Sequence, residues 1–200
     1  MSLLQGEPIS SDLDIAFSLL RERIKDNAIV SFEAEGESMF PLIETGSLAL
    51  VRLTHTDALK TGDIIAYKRE GRLILHRYMQ KVIAKDRSYR LRTKGDNHLF
   101  FDAEAVLPEM VLGKVTSIKK WGRTIKLENG FWKINNRIIL CLSYFEAVAK
   151  QSIFYAGKII GLEKHTLLRH LTNTFISLPL VIYLNFVLLL ARIVTPRGQE

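Results

Sequence analysis

Between Ile29 and Ile118, apolar and polar residues alternate in short runs separated by turn residues. Ile29–Ala34, Ser47–Arg52, 64–68, 73–83, Tyr89–Thr93 and Gly113–Ile118 have the length and the period of two expected of strands. Thr61-Gly62-Asp63 reads as a turn, and Glu70-Gly71 as the tip of a hairpin. Leu42 to Gly46 turns the chain between the first two strands. No helix-length segment separates these runs, which excludes a parallel βαβ sheet and predicts a mainly β core, a barrel or a sandwich. Upstream, residues 1–11 read as loose. From Asp12, Leu13, Ile15, Ala16, Leu19, Leu20 and Ile24 recur near three-to-four spacing, while Arg21, Glu22, Arg23, Lys25 and Asp26 are polar. That is an amphipathic helix, capped by Ser11 or Asp12, and neither a membrane span nor a signal peptide.

Past Trp121 the pattern changes. Residues 122–127 read as one more strand, Asn129-Gly130 as a break, and the chain from Phe131 onward as helical. Leu171 to Ala191 is a run of 21 residues without a charge, long enough as a helix to cross the roughly 30 Å of a hydrocarbon core. Asn173, Pro179 and Asn185 interrupt it. A membrane span over 171–191, an interfacial or hairpin-like helix, and a buried helical cap are the three readings. The expected organisation is a helix over 1–29, a β-rich domain over 30–120 and a basic helical extension over 121–200.

The charge supports that division. Residues 1–112 carry 15 basic and 17 acidic side chains, and residues 113–200 carry 13 basic and 4 acidic. A nearly neutral domain joined to a basic, apolar tail suits an anionic membrane face. Nucleic acid is not expected as a partner, since no helix-turn-helix, zinc-finger or aromatic RNA-binding signature is present. Cys141 is the one cysteine, so no internal disulfide forms, and it reads as a small buried apolar residue. No Cys/His cluster has metal-ligand spacing, so neither metal nor cofactor is expected.

The candidate chemistry starts at Glu35-Gly36-Glu37-Ser38-Met39-Phe40-Pro41. A serine beside a glycine, at the end of a strand, sits on a turn with its hydroxyl exposed. Gly36 permits close approach of another backbone, and Pro41 fixes the chain just after. A lone serine in such a place is usually structural, and a nucleophilic one needs a base within hydrogen-bond reach. His76, in the strand Leu73-Ile74-Leu75-His76-Arg77-Tyr78, is the candidate base. Asp96, in Gly95-Asp96-Asn97, and Asp102, after Phe100-Phe101, are the candidates for orienting its imidazole. His55 and His98 have no partner by sequence and read as surface residues.

Ser-Met-x-Pro, then Gly-Asp-Ile-Ile-Ala-Tyr over 62–67, then His76-Arg77, then Thr93-Lys94-Gly95-Asp96-Asn97, resembles type I signal peptidases and their relatives, the S24/S26 superfamily of serine proteases. The resemblance spans about residues 30–118. Members of the superfamily with a lysine base include the self-cleaving SOS-response repressors. A histidine in the position of that lysine is similar to the endoplasmic-reticulum and archaeal type. The resemblance implies a signal-peptidase-like, SOS-repressor-like β-barrel, with Ser38 as nucleophile and His76 as general base. Asp102, ahead of Asp96, is favoured to complete the site. It further implies an extended leader peptide bound by strand addition, small side chains before the cut, and Gly36, Met39 and Pro41 near the substrate. The amphipathic N-terminal helix departs from that pattern, because signal peptidases carry a membrane anchor there. If the C-terminal segment is a tail anchor, the domain is expected at the cytoplasmic face. The alternative function is a non-cutting peptide-binding or self-processing regulator on the same barrel.

Overall fold

The computed structural model describes residues 10–84, 87–160, 176–187 and 189–190. Helix α1 (Ser10–Glu22) leads into seven strands: β1 (Ile29–Glu33), β2 (Leu48–Leu53), β3 (Ile64–Arg69), β4 (Arg72–Ile83), β5 (Tyr89–Lys94), β6 (Val111–Lys120) and β7 (Arg123–Lys126). Helix α2 (Gly130–Ile160) follows, and a further helix occupies 176–187. Each strand expected from the alternation is present.

All the strands pair antiparallel in one sheet, ordered β1-β2-β6-β3-β4-β5, with β7 added beside β6. The expected closure into a barrel is corrected. The sheet is mainly β as predicted, but β1 and β5 lie at opposite ends of the order and are not paired with each other. Register shifts at Leu50/Val51, Ala66/Tyr67 and Tyr78/Gln80 bend the sheet without joining its ends. The β3–β4 hairpin turns at Glu70-Gly71, both with positive φ, as a two-residue turn that matches strand twist requires.

The period of two sorts the side chains by face. Ile64 and Ala66 of β3 enter a large core with Leu53, Leu112, Val115 and Ile118, joined by Phe17 and Ile24 from the N-terminal segment. Ile65 and Tyr67, alternate to them, enter a second cluster with Tyr78, Leu91, Val106 and Val111. His76 stands directly across from Ile65, so it shares the face of this second cluster. Arg77, one residue on, faces the other way, across from Ile64.

The helical extension is docked on the sheet, with Cys141 on the outer side of α2, exposed where burial was expected. The Asn129 side chain accepts the Trp132 N–H at 2.8 Å, capping α2 at the sequence break. Trp132 and Val187 join the large core, while Ile139 packs with Leu180 and Leu184. Within the described residues, then, the tail behaves as a packed helical cap. None of the described helices is long and apolar enough to cross a membrane. Several residues of the expected span 171–191, among them 171–175, lie outside the described residues.

Candidate active site

Residues 36–43 run as a series of bends and turns between β1 and β2. Gly36 has a φ of 80°, which favours glycine, and lies exposed. Met39 is 3 % exposed and packs with Leu42 and Ile43 in the large core. Pro41 is also buried, and its carbonyl accepts the Lys120 ammonium at 2.7 Å. Met39 and Pro41 therefore hold the turn from inside, and Gly36 alone of the three lies on its outer side.

Ser38 is half-buried, and its hydroxyl makes no hydrogen bond among the described residues. Its backbone is pinned to the turn after β5. The Asn97 N–H donates to the Ser38 carbonyl at 2.9 Å, and the Asn97 side-chain amide donates to the Glu37 carbonyl at 3.1 Å. Gly95 allows this contact: a Cβ there would lie 2.6 Å from the Ser38 carbonyl oxygen and 3.0 Å from the His98 ring. The Ser38 turn and His98 thus press on the same glycine. The rings of His98 and His76 meet edge-on with centroids 5.0 Å apart.

His76 is 5 % exposed. Its Nδ1 lies 2.7 Å from Asp102 Oδ2, which leaves Nε2 as the ring nitrogen without a partner among the described residues. The same carboxylate oxygen accepts the Thr93 hydroxyl at 2.5 Å and the Tyr67 hydroxyl at 3.2 Å. Burial by itself would raise the Asp102 carboxyl. The hydrogen bond from His76, the nearby His98 imidazole, the His76 charge and the Thr93 hydroxyl outweigh it and hold the group well below the usual carboxylate range. Tyr67 is pushed above the ordinary phenol range, first by burial and then by the Asp102 carboxylate, so it remains a neutral donor. Ser38 and His76 are not hydrogen-bonded to each other in this structure; such contacts often form only with substrate in place.

The two candidate aspartates separate cleanly. Asp102 is on the imidazole. Asp96 instead receives two guanidinium N–H bonds from Arg77, at 2.8 and 2.6 Å, with both side chains buried. Arg77 also donates to the Gly62 carbonyl at 2.7 Å and to Asn136 of α2 at 3.2 Å. Next to Gly95, the buried Lys94 ammonium reaches Glu146 of α2 at 3.0 Å.

Sequence reasoning missed three groups here. Tyr67 and Thr93 lie on predicted strands, and alternation would have placed them on the His76 face once the pairing was known. His98, read as a surface residue, is half-exposed but sits 3.9 Å from Asp102 Oδ1. No spacing signalled it, because the residues from His98 to Asp102 form no helix that would bring them to one face.

A search of the curated proteins finds no match. A family model does match: Peptidase S24-like, over residues 3–115. The matched segment contains Ser38, His76 and Asp102 and stops before α2. More than half of the chain is covered, so this protein belongs to the Peptidase S24-like family.

Proposed function

We propose that the protein is a serine endopeptidase of the signal-peptidase kind, acting on extended leader or propeptide segments after small side chains. The observation that carries the reading is the His76–Asp102 contact of 2.7 Å, which turns Nε2 into the imidazole's open nitrogen. A carboxylate on Nδ1 fixes the tautomer in which Nε2 accepts a proton, and it stabilises the imidazolium that results. Ser38, tied to the turn after β5 by Asn97, attacks the peptide carbonyl as its proton passes to Nε2. The acyl-enzyme that forms is released by water. Among the described residues, the backbone N–H groups of Ser38 and Met39 donate to no backbone carbonyl, so they are available for the developing oxyanion. Gly36 exposes backbone at the same turn for an incoming strand.

The helical extension supports action at a membrane surface. Phe131, Ile134, Ile138, Phe145 and Val148 are exposed at helical three-to-four spacing or its multiple along α2. Leu178, Ile182, Phe186 and Leu189 form a similar exposed stripe on the last helix. Apolar stripes on the basic part of the chain suit an anionic interface without requiring a span.

The test is cleavage of a peptide carrying an Ala-x-Ala leader site by the purified full chain, with mass spectrometry of the products. Cleavage after the small residue is expected, with loss of turnover in Ser38→Ala and His76→Ala and unchanged circular dichroism. Full activity in either variant overturns the assignment. A self-cleaved fragment with no cleavage of added peptide favours a self-processing regulator instead. Co-sedimentation with anionic vesicles, absent with neutral ones, checks the membrane arm.

A further inference from the structure

We propose that His98, Asp102 and His76 form a binding site for a borderline divalent transition-metal ion, of which Zn²⁺ suits the donors best. The binding claim stands on these three side chains alone. Its consequence, reversible blocking of the peptidase, rests on the role given to His76 above.

The donor set argues first. Two imidazoles and one carboxylate match zinc chemistry, whereas magnesium and calcium prefer oxygen ligands throughout. One ligand atom from each residue lies within 4.8 Å of the other two. The two oxygens of Asp102 are used differently. Oδ2 is occupied by His76, Thr93 and Tyr67. Oδ1 faces His98 Nδ1 across 3.9 Å, a gap too long for a hydrogen bond. Two metal–ligand bonds of about 2.0–2.1 Å span that gap with a wide angle, and closing it by roughly half an ångström gives the tetrahedral separation.

The surroundings are those of a prepared site. His76 and Asp102 have side chains 7 % exposed and are held in place, while His98 is 47 % exposed and can swing. Two fixed donors and one adjustable donor at the solvent edge supply both rigidity and an entry path. The Thr93 and Tyr67 hydroxyls orient the carboxylate, as outer hydrogen bonds commonly do around metal ligands. These three residues stand 22 and 4 positions apart, so no local spacing in the chain announces them.

Bound metal would occupy a His76 ring nitrogen needed either for the proton or for Asp102. The imidazoles must be neutral to bind, so affinity is expected to fall as pH drops.

The test uses the full chain after chelator treatment, titrated with ZnCl₂ by calorimetry and with CoCl₂ by visible absorption. One high-affinity ion per chain is expected, with no uptake of Mg²⁺. His98→Gln is expected to weaken binding by at least about tenfold, as losing a direct ligand should cost no less than losing an outer partner. Wild-type protein that takes up no stoichiometric Zn²⁺, or His98→Gln that binds it as tightly, overturns the site. In the peptidase assay Zn²⁺ is expected to inhibit the wild type, and the ratio of turnover with and without the ion is expected to return close to one in His98→Gln, whatever the basal rate of that variant. A protein that binds Zn²⁺ through His98 but cuts no peptide would sink the peptidase reading and leave the metal site standing.

Discussion

Replacing Asp96 with alanine separates a structural aspartate from a chemical one. Arg77 is fully buried, and Asp96 accepts two of its N–H bonds. Without that carboxylate, the guanidinium keeps only the Gly62 carbonyl and the Asn136 amide oxygen as acceptors. Breaking a buried ion pair from one side costs about 3–5 kcal/mol, because a charge is left behind in the interior. The two remaining acceptors keep part of that charge solvated, so about 3 kcal/mol is expected. With a urea slope of about 2 kcal/mol/M, the unfolding midpoint falls by roughly 1.5 M. Asp102→Asn is the control. It withdraws the carboxylate from His76 Nδ1 and presents an amide in its place, so the wrong tautomer is favoured. Turnover is then expected to fall by about 10⁴-fold, the loss seen when a serine-protease triad is so altered, with a smaller change in the urea midpoint. Two assays on the same protein samples, urea denaturation and peptide cleavage, read both effects. An Asp96→Ala cost under about 1 kcal/mol would refute the energetic argument. An Asp102→Asn variant with full turnover would refute the chemical one.

Three further outcomes are expected. Gly95→Ala should push the Ser38 carbonyl away from its contact, and a displacement near 1 Å is expected to lower kcat by about 10² with the fold retained, measured by cleavage alongside circular dichroism. Asn129→Ala removes the α2 cap and is expected to cost about 1 kcal/mol in urea denaturation, with no effect on kcat. Asp102 has a folded-state pKa below its unfolded one, so its ionised form stabilises the fold above about pH 4 and this contribution is lost as pH falls through the folded value. The stability gap between wild type and Asp102→Asn should therefore narrow as pH falls below about 4; a gap that widens below that pH contradicts the sign.

The strands were legible because half-buried segments must alternate. Ile64, Ile65, Ala66 and Tyr67 feed two different clusters in strict turn. Closure of the sheet was not legible, since alternation reports faces and says nothing about which strands end a sheet. Motif order put Ser38, His76 and both aspartates forward as candidates, but it did not say that Asp102 would meet the imidazole and Asp96 the guanidinium of Arg77. That division depends on Arg77 facing opposite to His76, a one-residue difference whose meaning appears only once β4 is paired. The tail was ambiguous for a related reason: an uncharged run looks the same whether its apolar atoms meet lipid or, as Leu180, Leu184 and Val187 do, a protein core.

Glu146 stands between two lysines, Lys94 from the strand beside Gly95 and Lys150 on its own helix, and also takes the Ser177 hydroxyl. Residue 120 is therefore a poor place to divide this polypeptide, although Ser38, His76 and Asp102 all precede it. A fragment ending there would take from the Lys94 ammonium both its carboxylate partner and the helix that covers it, one peptide unit from the glycine that seats the Ser38 loop. On the ribosome the same contact sets a delay: the proposed peptidase activity is expected to mature only after Glu146 has left the exit tunnel and α2 has settled. Nascent chains released before that point should be inert towards their neighbours and towards themselves.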